Sequence, residues 1–204
     1  MKRLAGLMIL LVLISNFGCA KKDLTSNRPF DSAVISYTYQ GARIGNETVY
    51  IDLKSNNIAV ETSVTTTFKG IVDNDESVRI YDGQAAYSVD MKKKQAIKVS
   101  KQGAIIPEMF GEAKYLQYFT EQVSFLEKPC KAYKLPQGEI YFWQGIPLKE
   151  EMTLSGMTYT KTATDIELNT PIPAAKFKLP SEVEVFKAED LMKDFQKKFK
   201  NLKR

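Results

Sequence analysis

The chain has 204 residues, of which 44% are hydrophobic, and carries 29 lysines and arginines against 24 aspartates and glutamates, a formal charge of +5. It contains no histidine, which removes the commonest general base, every Ser–His or Cys–His nucleophile pair and the usual zinc ligand. The missing histidine, together with the absence of catalytic motifs, favours a non-enzymatic protein without a cofactor. With two cysteines the chain must depend on its own hydrophobic core, and a mild positive charge without a nucleic-acid-binding motif predicts no nucleic-acid partner.

The N-terminus predicts an exported protein. Met1-Lys2-Arg3 precedes an uncharged run from Leu4 to Ile14, which is the layout of a secretory signal. The run has 11 residues, whereas a membrane-spanning helix needs about 20. We therefore expect residues 1–18 to be a signal peptide, and its removal lowers the formal charge to +3.

The segment Ser15-Asn16-Phe17-Gly18-Cys19-Ala20 is similar to the lipobox of bacterial lipoproteins. In that family the cysteine becomes the lipidated first residue, and two acyl chains give the stable anchoring that one chain does not. The resemblance implies lipidation of Cys19, with ordinary cleavage nearby and an unmodified cysteine as the alternative. Ala20, where an aspartate would direct retention at the inner membrane, implies attachment to the periplasmic side of the outer membrane. Residues 19–30 then form a polar tether.

The pattern of residues 31–186 predicts one mainly β domain of about eleven strands. Apolar and polar residues alternate with a period of two, which is typical of strands with one buried face. Short spacings between strands indicate antiparallel hairpins in an up-and-down order. The predicted turns are Lys54–Asn57, Asp73–Asp75, Asp82–Gly83 and Met91–Lys94.

The period changes to a helical one between two groups of strands. Apolar residues predict a helix from about Pro107 to Phe119, and a second, basic helix within residues 187–204. The lysines of the second helix either complement the helix dipole or dock against anionic lipid headgroups. Because so many strands with one polar face must curl to bury the other face, we expect a strongly curved half-barrel with a helical cap.

Four segments of the domain carry a family resemblance: Ile80–Tyr87 with Asp90, Lys128–Tyr133, Trp143–Lys149, and Asn169–Pro173 with Phe177–Pro180. They resemble LolA/LolB-like exported proteins and a related group of bacterial envelope proteins, over roughly Ala33 to Val185. The resemblance implies a half-barrel of antiparallel strands around an apolar cavity, which in the carriers receives lipoprotein acyl chains.

A groove of methionine and aromatic side chains is the predicted ligand site. Such side chains suit an acyl chain or another apolar ligand, although they also suit an ordinary core. We therefore expect a monomeric envelope protein that binds a lipid without catalysis, or alternatively a structural protein with a filled core and a protein partner. The predicted ligand-binding residues are Met109, Phe110, Leu116, Phe119, Phe142 and Trp143.

Two other groups of residues are weaker candidates for chemistry. Asp73, Asp75 and Glu76 offer oxygen ligands for Ca²⁺, but the spacing does not match an EF-hand loop and favours a solvated acidic turn. Cys130 alternates with Lys131 and Tyr133 in a predicted strand and has no imidazole to activate it. We expect a buried or partly buried, inert thiol and no metal site.

Overall fold

The computed structural model describes residues 29–99, 111–188 and 190. Cys19, Met109, Phe110 and nearly all of the predicted C-terminal helix lie outside the described residues. The described part forms one sheet of twelve strands: β1 (Ser32–Gly41), β2 (Arg43–Asp52), β3 (Asn57–Phe68), β4 (Ile71–Tyr81), β5 (Ala86–Asp90), β6 (Gln95–Val99), β7 (Phe119–Phe125), β8 (Lys128–Leu135), β9 (Gly138–Trp143), β10 (Ile146–Leu154), β11 (Met157–Leu168) and β12 (Glu184–Lys187).

Two meanders meet at the centre of the sheet. The strand order is β12-β6-β5-β4-β3-β2-β1-β11-β10-β9-β8-β7, so that β1 pairs with both β2 and β11. The register slips in β1–β11 and in β9–β10, and such bulges increase local twist and bending. The sheet is curved and open, and the predicted half-barrel is confirmed with twelve strands instead of eleven.

The strand β12 corrects the prediction of a purely antiparallel sheet, because it pairs with β6 in parallel. A parallel neighbour requires a crossover connection, and the chain after β11 supplies one. Its short 3₁₀ helix, the crossover helix Ala174–Phe177, packs Phe177 against Ala59 and Ile80 on one face of the sheet. The Pro-rich stretch after β11 is therefore the second layer over this part of the sheet.

The core follows the predicted alternation. In β1 the side chains of Ala33, Ile35, Tyr37 and Tyr39 are all buried, while their neighbours are partly exposed. Residues of both meanders form one main cluster. Its buried members are Phe30, Ala33, Ile35, Tyr37, Val49, Ile51, Ile58, Val60, Tyr81, Ala86, Cys130, Ile146, Leu148 and Ala163.

The predicted turn at Asp73–Asp75 is wrong, since these residues lie within β4. The chain turns earlier, at Lys69 (φ 49°) and Gly70 (φ 80°), where two positive φ angles suit a tight hairpin. The Thr65 hydroxyl donates to Asn74 Oδ1 at 2.7 Å across the β3–β4 pair. This end of the hairpin is exposed to water, so its strands can contain consecutive polar residues. In a buried strand, the same residues would indicate a turn.

The predicted helix before β7 is shorter than expected at its C-terminal end. A 3₁₀ helix, the cap helix Gly111–Tyr118, is present, but Phe119 is already the first residue of β7 and pairs with Tyr133. Glu112 fixes the cap helix to β8, because its Oε1 accepts from the Tyr133 hydroxyl at 2.6 Å and lies 2.8 Å from Lys131 Nζ. Pairing with β8 therefore overrides the helical spacing at Phe119.

Candidate functional site

A cluster of charged side chains is buried at the centre of the sheet. Glu47 on β2 is 4% exposed, and its Oε1 lies 2.6 Å from Nζ of Lys161 on β11, whose side chain is 13% exposed. The strand β1 lies between them, and both side chains meet on its face because Tyr37 pairs with Glu47 and Tyr39 with Lys161. Glu47 Oε2 accepts from the Tyr39 hydroxyl at 3.2 Å. We call Glu47, Lys161, Tyr39, Thr62 and the partly exposed Arg79 the buried ion cluster.

The cluster compensates the charge of Glu47 from several directions. The Thr62 hydroxyl donates to Oε2 at 3.3 Å, and an Arg79 guanidinium nitrogen lies 3.5 Å from the same oxygen. Burial by itself raises the pKa of the Glu47 carboxyl, but Lys161, Arg79 and the Tyr39 hydrogen bond together bring this pKa below its ordinary value. Glu47 is therefore ionised at neutral pH.

Lys161 is held as a cation by the same arrangement. Burial lowers the pKa of its ammonium group, but the carboxylates of Glu47 and Glu150 outweigh burial and raise this pKa above the ordinary value. The ammonium also lies 4.2 Å from the ring centroid of Tyr37, a favourable cation–π distance. The pair is thus a desolvated ion pair with a second, aromatic contact.

A small cavity of about 200 Å³, the inner pocket, adjoins this cluster. The Tyr37 side chain lines it and is 1% exposed, and the Tyr37 hydroxyl has no hydrogen-bond partner within the described part of the chain. Burial raises the pKa of this phenol, so it stays protonated. The inner pocket is lined by Tyr37, Tyr39, Arg43, Glu47, Val49, Val60, Arg79, Pro147, Glu150, Tyr159 and Lys161.

A larger cavity of about 730 Å³, the trough, shares part of its wall with the inner pocket. Tyr39, Arg43, Glu47 and Arg79 line both cavities. The other walls come from β3, β4, β5 and the turn after β5, and they are almost entirely polar. These further residues are Thr62, Thr66, Asp73, Asn74, Asp75, Glu76, Ser77, Ser88, Val89, Asp90, Lys92 and Lys93.

Four of the six predicted ligand-binding residues are described, and the structure divides them. Phe142 is buried against Tyr133, with the rings 5.6 Å apart, whereas Trp143 packs against the main cluster. Leu116 on the cap helix is 62% exposed and Phe119 is 47% exposed. None of the four lines the trough or the inner pocket, and ligand binding by these residues stays a prediction.

Sequence reasoning missed the buried ion cluster. Glu47 shares the parity of Val49 and Ile51, and a charge at a buried position of a strand is the signal that could have revealed it. The partner, Lys161, is 114 positions further along the chain. The spacing of the sequence does not indicate that pairing.

The described residues were also compared with the requirements of a metal site and of a membrane-spanning helix. Within residues 29–99, 111–188 and 190, no group of three or more aspartate, glutamate or cysteine side chains is placed to hold a metal ion. Cys130 is buried as predicted, and burial raises the pKa of its thiol. No helix in the described part of the chain is long and apolar enough to cross a membrane.

The acid stability of the fold should depend on Glu47. Because its pKa is lower in the folded chain, its contribution to stability is present above the ordinary value of 4.5 and is lost as the pH falls through the folded pKa. We compare the parent with a double variant, Glu47→Gln with Lys161→Met, that removes both charges. Urea unfolding should show the parent losing more free energy of unfolding than the double variant between pH 4.5 and about pH 2. Parallel losses in the two proteins would contradict this assignment.

Comparison with known proteins gives similarity in structure only. No protein-family model matches the chain, and no curated protein matches its sequence. An uncharacterized conserved protein from Thermus thermophilus has a TM-score of 0.52 at 9% identity, over 78% of this chain and 92% of that one. These values show a shared fold.

Two further similar structures contain MucB. One is a crystal structure of MucB, with a TM-score of 0.45 at 12% identity over 78% of this chain and 60% of MucB. The other is the Pseudomonas aeruginosa MucA/MucB complex, with a TM-score of 0.43 at 12% identity over 76% of this chain and 58% of that one. The chain thus spans about three fifths of the matched MucB chains.

Proposed function

We propose that this chain is a lipid-anchored protein of the bacterial envelope that binds a polypeptide segment of a protein partner in the trough, without catalysis. The observation that carries the proposal is the charged lining of the trough. The lipidated Cys19 would hold the half-barrel at the periplasmic side of the outer membrane, with residues 19–30 as the tether.

The size and polarity of the trough favour a polypeptide. Its volume of about 730 Å³ lies in the range of ligand sites, about 300–1,000 Å³. An acyl chain there would remove water from charged groups without replacing their hydrogen bonds, which is costly. A polypeptide brings amide groups and charged side chains that replace those hydrogen bonds.

Charges of both signs are available to such a partner. Asp73 and Asp75 on β4 line the trough with exposed carboxylates, and the Asp73 carboxylate helps to raise the pKa of Lys93. The Arg43 guanidinium also lines the trough, where it contacts tyrosine rings and forms no ion pair with a described carboxylate. The trough therefore suits a segment with both basic and acidic side chains.

A second candidate function is the acyl-chain carrier that the family resemblance implies. Two exposed apolar side chains support it: Leu116 on the cap helix, and Phe119, whose ring lies 5.8 Å from that of Tyr133. Neither residue lines the trough. Phe142 is buried in the cluster that contains Tyr133 and is not part of the exposed surface.

Photo-crosslinking in living bacteria tests the proposal. A photoreactive phenylalanine analogue replaces Thr66, which lines the trough, or Ser63, which is exposed on the other face of β3. We expect one protein adduct from Thr66 that is absent from Ser63 and is lost on reversing the charges with Asp73→Lys and Asp75→Lys. Fractionation of the same cells should find the parent in the membrane fraction and Cys19→Ala in the soluble fraction.

Other adducts would overturn the proposal. Equal crosslinking from Thr66 and Ser63, or an adduct insensitive to the charge reversal, would show that the trough is not the contact surface. Native mass spectrometry of the purified chain supplies the second arm. A bound mass equal to a fatty acid or phospholipid, without any protein adduct at Thr66, would favour the acyl-chain carrier instead.

A further inference from the structure

We propose that the inner pocket binds a carboxylate group carried by the polypeptide segment in the trough. This inference rests on the proposed function and adds the chemistry of the group that enters the pocket. Two independent features carry it: a buried hydroxyl with no hydrogen-bond partner among the described residues, and an arginine that forms no ion pair with any of their carboxylates.

The buried hydroxyl belongs to Tyr37. A buried hydroxyl without a hydrogen bond costs about 1–3 kcal/mol, and buried polar groups in folded proteins nearly always have a partner. Tyr37 lines the inner pocket, its phenol remains protonated, and its ring face is already in contact with the Lys161 ammonium. The hydroxyl is therefore a hydrogen-bond donor for whatever enters the pocket.

The arginine is Arg43, at the junction of the inner pocket and the trough. Its guanidinium carbon lies 4.5 Å from the ring centroid of Tyr39 and 5.2 Å from that of Tyr159. An aromatic ring contacts the flat face of a guanidinium, so the N–H groups at its edge remain available as hydrogen-bond donors. Arginine binds a carboxylate through this edge with two parallel hydrogen bonds. Within the described part of the chain no carboxylate occupies that edge.

The charge of the pocket selects a group with a single negative charge. Three cationic side chains line it, Arg43, Arg79 and Lys161, against the two carboxylates of Glu47 and Glu150. A carboxylate that enters the pocket brings one negative charge to Arg43, whose N–H edge meets no described carboxylate. A phosphate dianion would leave an excess negative charge beside Glu47, where charges are poorly screened.

Binding of small probes to the purified chain tests the inference. N-acetylglycine carries a carboxylate next to an amide, N-acetylglycinamide lacks the charge, and inorganic phosphate and octanoate supply a different anion and an acyl chain. We expect saturable binding of N-acetylglycine by NMR titration, with weaker or no binding of the other three. Phosphate or octanoate binding more tightly than N-acetylglycine would overturn the assignment to a peptide carboxylate.

Variants locate the binding. Tyr37→Phe and Arg43→Gln should each weaken N-acetylglycine binding by about tenfold or more, since each removes a hydrogen bond to a charged group. Tyr50→Phe is the matched control, because the Tyr50 hydroxyl donates to Glu61 at 3.0 Å, outside the pocket. Tyr37→Phe should not lower the urea midpoint, because its hydroxyl has no partner within the described chain. Unchanged binding by Tyr37→Phe would overturn the inference.

The two proposals fail in different ways. Crosslinking from Thr66 without N-acetylglycine binding would preserve the partner in the trough and remove the carboxylate site. Binding of N-acetylglycine that needs Tyr37 and Arg43, without any adduct at Thr66, would preserve the pocket and assign it to a free small acid.

Discussion

Replacing Glu47 by glutamine should destabilise the fold by about 3–5 kcal/mol, the range for breaking a buried ion pair by removing one partner. The substitution keeps the size of the side chain but removes the nearest counter-charge of the Lys161 ammonium, which lies 2.6 Å away in the parent. The midpoint and slope of urea unfolding measure the effect. The loss should become smaller at high pH, where Lys161 can release its proton.

The matched control is Glu61→Gln. Glu61 is half-exposed and also forms an ion pair, at 2.7 Å to Lys176, but solvent screens both groups. Exposed pairs contribute about 0–1 kcal/mol, so this variant should unfold close to the parent. Adding Lys161→Met to Glu47→Gln should recover much of the stability, because both buried charges are then gone. Similar losses from Glu47→Gln and Glu61→Gln would show that the central pair is not desolvated.

Replacing Gly45 by alanine should cost more than about 3 kcal/mol, because strain at a special φ angle alone costs about 1–3 kcal/mol. Gly45 has a φ of +142°, which residues with a Cβ rarely adopt. An added Cβ would also stand 2.1 Å from the Ser63 carbonyl oxygen and 2.9 Å from Val64 Cα, both in the backbone of β3. The β2–β3 pair would have to separate beside the trough.

Gly70→Ala separates the two causes. Gly70 also has a positive φ, +80°, but nothing lies within 4 Å of an added Cβ. This variant should therefore lose only about 1 kcal/mol from backbone strain, while Gly45→Ala adds the steric cost. Urea unfolding measures the free energy of unfolding of both variants. Equal losses would mean that the backbone of β3 moves to accommodate the added methyl group at no cost in free energy.

Much of the fold follows from local patterns. The alternation in β1, from Ala33 to Tyr39, indicates a strand with one buried face because adjacent residues of a strand point to opposite sides. The local pattern gave a wrong prediction at Asp73–Asp75, where consecutive polar residues indicated a turn. These residues are polar because that end of β4 is exposed to water. The local pattern also failed at Phe119, where pairing with β8 replaces a helical turn.

The candidate site, unlike the fold, did not follow from local patterns in the sequence. The groove predicted from aromatic and methionine residues contains Phe142 and Trp143, which pack in different clusters on the two sides of β9. Side chains of one type near each other in sequence need not share a surface. The cavities are instead lined by charged residues from strands that the sequence separates widely.

The sequence by itself determined the class of the protein: a mainly β chain, one buried face on each strand, a hairpin order, and a cap helix between two meanders. These features depend on residues close together in the chain, and the periodicity of apolar and polar residues there can be recognised without a structure. Only the tertiary structure decided that β11 joins β1, that β12 returns to β6, and that Lys161 meets Glu47 across β1. Such contacts depend on which strands pair and in which register. The alternation of apolar and polar residues is the same in many strands, so it does not specify the partner of any one strand.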